Sequence, residues 1–74
     1  MTIDIQGIEF DTADEAVQYA EAGGGRAVLL DGQHLVVATT EAHRMEEAGV
    51  EFAYLIDHDM PEGRHRIMTI PVND

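Results

Sequence analysis

Hydrophobic positions alternate with polar ones in three parts of the chain and follow helical spacing in two. From Thr2 to Phe10, Ile3 and Ile5 precede Gln6-Gly7, and Ile8 and Phe10 follow it. A two-residue loop at Gln6-Gly7 predicts a hairpin pairing Ile5 with Ile8 and Ile3 with Phe10, with Asp4 and Glu9 on the wet face. Thr12-Ala13-Asp14-Glu15 has the spacing of a capping box. Ala13, Ala16, Val17 and Ala20 then recur as one face of a helix that ends at Gly23-Gly24-Gly25.

Arg26 to Thr39 reads as a second hairpin, folded at Asp31-Gly32. That turn sets Leu30 opposite Gln33, Leu29 opposite His34, Val28 opposite Leu35 and Ala27 opposite Val36. Both faces of the pair are apolar, so it belongs in the middle of a sheet. Thr39 or Thr40 is expected to cap a short helix through Ala48, with Ala42, Met45 and Ala48 turned inward and Gly49 at its end.

The third hairpin is the longest. Val50 to Ile56 and Ile67 to Val72 flank Met60-Pro61-Glu62-Gly63, a Pro-then-Gly turn. With Pro61, Glu62 and Gly63 in the loop, Phe52 faces Val72, Tyr54 faces Ile70 and Ile56 faces Met68, all on one side. Short matches such as Gly7-Ile8-Glu9-Phe10 with Gly49-Val50-Glu51-Phe52 suggest a strand–strand–helix unit used twice.

The fold expected is therefore α+β in the order ββαββαββ: a mainly antiparallel sheet from three hairpins, with two short helices on one face, as one domain over residues 1–74. Those helices would cover Val28, Leu30, Leu35, Val37, Phe52, Tyr54, Ile56, Met68 and Ile70. The opposite face, with Ala27, Leu29, Val36, Ala38, Ala53, Leu55 and Ile67, would then be bare. A large bare apolar face is uncommon on a monomer, and a twofold homodimer is its commonest cover. Ala27, Leu29, Val36, Ala38, Leu55 and Ile67 are accordingly the expected interface. A chain of this length buries only about 60% of the surface it exposes when unfolded, which also favours association.

Composition narrows the classes. Fifteen acidic residues against four Arg and no Lys give a formal charge of −11, which argues against nucleic acid and anionic membrane surfaces as partners. It permits a basic protein partner, and an acidic decoy or immunity-type inhibitor of such a partner is one alternative function. There is no Cys, so disulfides and thiolate metal sites are excluded. Met1-Thr2-Ile3-Asp4 starts no signal-like pattern and no apolar run nears the ~20 residues of a membrane span, so a cytoplasmic location is expected.

Candidate chemistry is sparse. The last hairpin sets Asp59 opposite His65 with Asp57 diagonal to them, and this trio could hold a divalent metal or place an Asp–His pair for proton transfer. A cross-strand ion pair at a hairpin tip is the simpler role. Arg64 and Arg66 could grip an anion but stand beside Asp57, Asp59 and Glu62. His34 and His43 are isolated and expected to face solvent. Glu46 is expected to pair with Arg44 or Arg26. The chain contains neither Ser nor Cys, and Thr12, Thr39 and Thr40 are taken as caps, so no usual nucleophile stands out. No cofactor motif is present; the Gly run lies after a helix and before a strand, the reverse of a phosphate loop. The expected function is a non-enzymatic, homodimeric protein–protein interaction module.

Overall fold

The computed structural model describes residues 6–59, 63 and 65–73, with the side chains of Asp59 and His65 outside the described set. Its elements are β1 (Gly7–Phe10), α1 (Ala13–Gly23), β2 (Arg26–Leu30), β3 (Gln33–Val37), α2 (Thr39–Glu47), β4 (Phe52–Asp59) and β5 (His65–Val72). The described order is βαββαββ, and one antiparallel sheet has the strand order β1-β3-β2-β4-β5. The α+β class stands; the arrangement of three hairpins and the ββαββαββ order do not. Residues 2–5, the expected first strand, lie outside the described residues.

Gly7 is a strand residue, paired with Val37, and not half of a tight turn. A Cβ there would stand 2.9 Å from Val37 Cγ1 and 3.0 Å from the Val36 carbonyl oxygen, so the position requires a close backbone approach that only glycine permits. The second hairpin has the expected register throughout, from Leu30↔Gln33 to Ala27↔Val36. Asp31 and Gly32 both take positive φ, 50° and 78°, as a type I′ turn demands. The last hairpin also keeps its register, with Phe52↔Val72, Tyr54↔Ile70 and Ile56↔Met68.

Thr12 caps α1: its hydroxyl oxygen accepts the Glu15 N–H at 3.2 Å and lies 3.2 Å from Glu15 Oε1. Gly24, at φ 83°, closes the helix. The second helix differs from expectation at both ends. Ala38 is its N-cap and no side chain caps it, so neither Thr39 nor Thr40 has that role. Ala48 is exposed, because the chain turns there into a Schellman ending: the Gly49 N–H donates to Glu46 O and the Val50 N–H to Met45 O, with Gly49 at φ 78°.

The main correction concerns the helices, which lie on opposite faces. Ala16 and Val17 of α1 pack with Ala27, Val36 and Leu55. Ala42 and Met45 of α2 pack with Val28, Val37 and Phe52. Chain connectivity accounts for this. β1 and β2 are parallel neighbours-but-one joined through α1, and β3 and β4 are likewise joined through α2. Both connections step the same way across the sheet, but their strands run in opposite directions. Two crossovers of one hand must then leave opposite faces, and right-handedness is the rule for such units. The supposed bare face is thus covered by α1: Ala27, Val36 and Leu55 are 5%, 5% and 6% exposed, and Leu29 and Ile67 pack against them. Ala38 is exposed, but at the entry to α2, away from that cluster. The six residues therefore do not form an open face, and the premise for that interface falls.

Leu55→Ala is expected to destabilise the chain by about 3 kcal/mol, with a urea midpoint that does not depend on protein concentration. A loss that appears only on dilution would mean that Leu55 sits between subunits.

Candidate functional site

β4 and β5 pair along their whole length, from Phe52↔Val72 to Asp59↔His65. The registered pairs between β2 and β4 are Val28↔Tyr54 and Leu29↔Ala53. Beyond Leu55 the β4–β5 pair therefore runs on as a two-stranded arm, and the molecule measures 45 × 24 × 20 Å. Alternation puts Tyr54, Ile56 and His58 of β4 on the α2 side, with Ile70, Met68 and Arg66 opposite them. α2 covers Phe52 at the base of the arm but does not reach its outer part. Ile56, Met68 and Ile70 are left 44%, 45% and 46% exposed, next to exposed His58 and Arg66. This is a contiguous apolar strip ending in positive charge, on a chain whose total charge is strongly negative.

The base of the arm is fastened to α2. The Tyr54 hydroxyl donates to Glu46 Oε1 at 2.9 Å. Asn73 Nδ2, just past β5, donates to Glu46 O at 2.9 Å and to Val50 O at 3.3 Å. Asn73 takes φ 58°, a left-handed conformation that Asn adopts more readily than most residues. Phe52 meets Tyr54 edge-on at 5.2 Å between ring centroids, and the Arg26 guanidinium stands 6.0 Å above the Tyr54 ring. Burial raises the Tyr54 pKa, the hydrogen bond and negative charge of Glu46 raise it further, and Arg26 opposes them. The phenol is therefore held protonated as a donor, which suits a strut and not a base or nucleophile.

Where β4 parts from β2, a cleft of about 430 Å³ opens between the helices, lined among others by Glu21, Arg26, His43, Glu46, Tyr54 and Asp57. Its size is that of a small-molecule pocket. Its polar groups are partly engaged with one another, through Tyr54 to Glu46 and through Arg26 to the Tyr54 ring.

Other expected groups fall as follows. The backbone register sets Asp59 opposite His65, but Asp57 faces Ile67 across the strands. The side chains of Asp59 and His65 lie outside the described residues, and so does the tip at Met60, Pro61, Glu62 and Arg64. Among the described residues, no group of three His, Cys, Asp or Glu side chains is placed to hold a metal ion. Arg66 and His58 are opposite each other, as the register requires. Glu46 pairs with neither Arg44 nor Arg26: Arg44 Nη1 binds Glu41 Oε2 at 2.9 Å, and Glu46 takes Tyr54 and, at 4.0 Å, His43 Nδ1. His34 is half-buried on the α1 face, between Phe10 and Leu29 in register.

Sequence reasoning assigned Tyr54 wholly to the core and so missed the Tyr54–Glu46 strut. Its signal was the pairing of an amphipathic ring with an inward-facing acid near the end of α2. The exposed strip was missed because α2 was assumed to lie over the whole face. No family model matches the chain, and no significant match is found among curated proteins or solved structures. Among the described residues, no helix is long and apolar enough to cross a membrane.

With Tyr19 replaced by Phe, Tyr54 is the sole phenol, and its absorbance titration is expected to have a midpoint above the ordinary value of about 10. Glu46→Gln should bring that midpoint down, since it removes the nearby charge. The raised native pKa means that the stabilisation from this phenol is complete below pH about 10 and is lost as pH rises through the native value. A midpoint unmoved by Glu46→Gln would contradict the strut.

Proposed function

We propose that this chain is a non-enzymatic interaction module that works by protein contact through the α2-side face of its β4–β5 arm. The observation that carries this reading is the exposed strip of Ile56, Met68 and Ile70. On the same face, Val28, Val37 and Phe52 are covered by α2, while Ile8 stands singly exposed on the other face, paired with Val36 of β3. Exposed apolar side chains that adjoin one another and are rimmed by polar groups are the usual mark of a contact surface. Met is well suited to such a place, because its flexible thioether adapts to a partner's shape. Arg66 at the outer end adds the cation that interface centres favour.

The chemistry of the remaining groups supports a binding role. The chain has no Ser, Cys or Lys to act as a nucleophile, and the half-buried Tyr54 phenol is a protonated hydrogen-bond donor to Glu46. The tie between Tyr54, Glu46 and Asn73 holds the base of the arm against α2. A strip mounted in this way is ordered before its partner arrives, which lowers the entropic cost of binding.

Ile56→Thr and Ile70→Thr should each change folding stability by less than about 1 kcal/mol, since neither side chain is core, while removing partner contact. A photo-crosslinking residue at position 68 should give a discrete adduct in native extract that Ile70→Thr abolishes and that the same label at Glu21 does not give. If the Thr variants unfold, or if positions 68 and 21 label alike, the strip is not a contact surface.

A further inference from the structure

The strip's own order of chemistry identifies what it can hold. From base to tip, the α2-side face of the arm passes from a base where Glu46 and Glu47 outnumber Arg26, which stands over the Tyr54 ring, through apolar groups to basic ones. At the base stand Glu46 and Glu47 of α2; Ile70, Ile56 and Met68 follow; Arg66 and His58 come last. A second copy laid on this face with its arm reversed presents the opposite order. Apolar residues then meet apolar residues in the middle, and each basic end meets an acidic base. We propose that the arm face binds a second copy of this chain, the two arms stacked antiparallel about a twofold axis near the Ile56–Met68 pair. The proposal rests on the reading of the arm as a contact surface and names its partner.

Three features favour this occupant. First, stacked layers in proteins lie about 10 Å apart, and α2 already forms a layer over the inner part of this face. A partner's arm continues that layer over the part α2 leaves bare, and by symmetry receives the same cover. Second, the twofold sets Arg66 of each copy near the Tyr54–Ile70 pair of the other, within reach of the partner's Glu46. The Glu46 side chain is 38% exposed, with Oε1 accepting the Tyr54 hydroxyl and Oε2 4.0 Å from His43 Nδ1, so the partner's arginine would share that outer oxygen with His43. Two chains of charge −11 repel in most orientations, and this one brings their basic ends against acids. Third, β5 is a sheet edge, but Pro71 within it lacks a backbone N–H. That disfavours edge-to-edge strand addition and leaves the face as the better surface.

The outer arm is only two strands wide and about 17 Å long at roughly 3.4 Å per residue. The contact is therefore small by the standard of stable interfaces, and the dimer is a weak one, with dissociation at roughly tens of micromolar.

Sedimentation equilibrium of the full chain from about 10 to 500 µM, with the Met68 methyl resonance followed over the same series, tests this. The expected result is a monomer–dimer equilibrium with a Met68 shift that tracks it. Met68→Glu and Arg66→Glu should each weaken association at least about tenfold. Glu46→Arg should do the same, and joining it to Arg66→Glu should restore association to within about threefold of the parent. Tyr54→Phe breaks the same internal hydrogen bond as Glu46→Arg without altering charge, and should weaken association far less than Glu46→Arg does. A chain monomeric at 500 µM with an unmoving Met68 methyl overturns the proposal, as does a dimer indifferent to Met68→Glu. If that monomer still gives the discrete crosslink from position 68, only the identity of the partner is wrong; if it gives none, the contact reading fails with it.

Discussion

The handedness of two crossover connections sets almost everything else in this molecule. β1 reaches β2 through α1, and β3 reaches β4 through α2, each stepping over one strand in the same direction. Because the two starting strands are antiparallel, crossovers of one hand cannot share a face. Each face of a five-stranded sheet therefore receives one short helix. Small residues let α1 sit close over Ala27, Val36 and Leu55, and the fully buried Met45 fills the space between α2 and Val28, Val37 and Phe52. Two thin cores result, and neither helix extends to the far end of β4 and β5.

That shortfall turns a structural limit into a surface. A hairpin longer than the body it belongs to must project, and alternation along it continues whether or not a helix lies above. Ile56, Met68 and Ile70 are the positions where alternation still asks for cover and α2 no longer supplies it. The fastening at the base works against collapse of the arm onto α2. Tyr54 and Asn73 both bond to Glu46, one to its side chain and the other to its carbonyl, so both strands of the arm are tied to the same helix end. The uncovered strip is held at a fixed distance from the acidic end of α2, which is what gives the face its polarity from acid to base.

Much of the strand pairing was legible in the sequence, because it is local. Asp31-Gly32 has the backbone freedom that a type I′ turn requires, and the register of β2 and β3 follows from it. The alternation of Phe52, Tyr54 and Ile56 against Val72, Ile70 and Met68 specified the last hairpin in the same way. Less could be read where long-range geometry decides. Gly7 looked like a turn residue because glycine is common in turns, whereas its strand position follows from the nearness of Val36 and Val37. Thr39 and Thr40 looked like caps, but the chain enters α2 from an extended Ala38 and no hydroxyl is needed. The face on which each helix lies is written in no single stretch of residues. It depends on strand order, and reading the chain as independent hairpins left the crossovers out. The error carried through to the site, since a helix placed on the wrong face exposed Leu55 and hid Met68.

The most direct measurement is the pattern of nuclear Overhauser contacts in a methyl-labelled sample. Val17 methyls should show contacts to Leu55 and Val36, and the Met45 methyl should show contacts to Val28 and Val37, with no crossing between the sets. Contacts from both Val17 and Met45 to Val28 would place the helices on one face and contradict the two-sided cover on which the exposed arm depends.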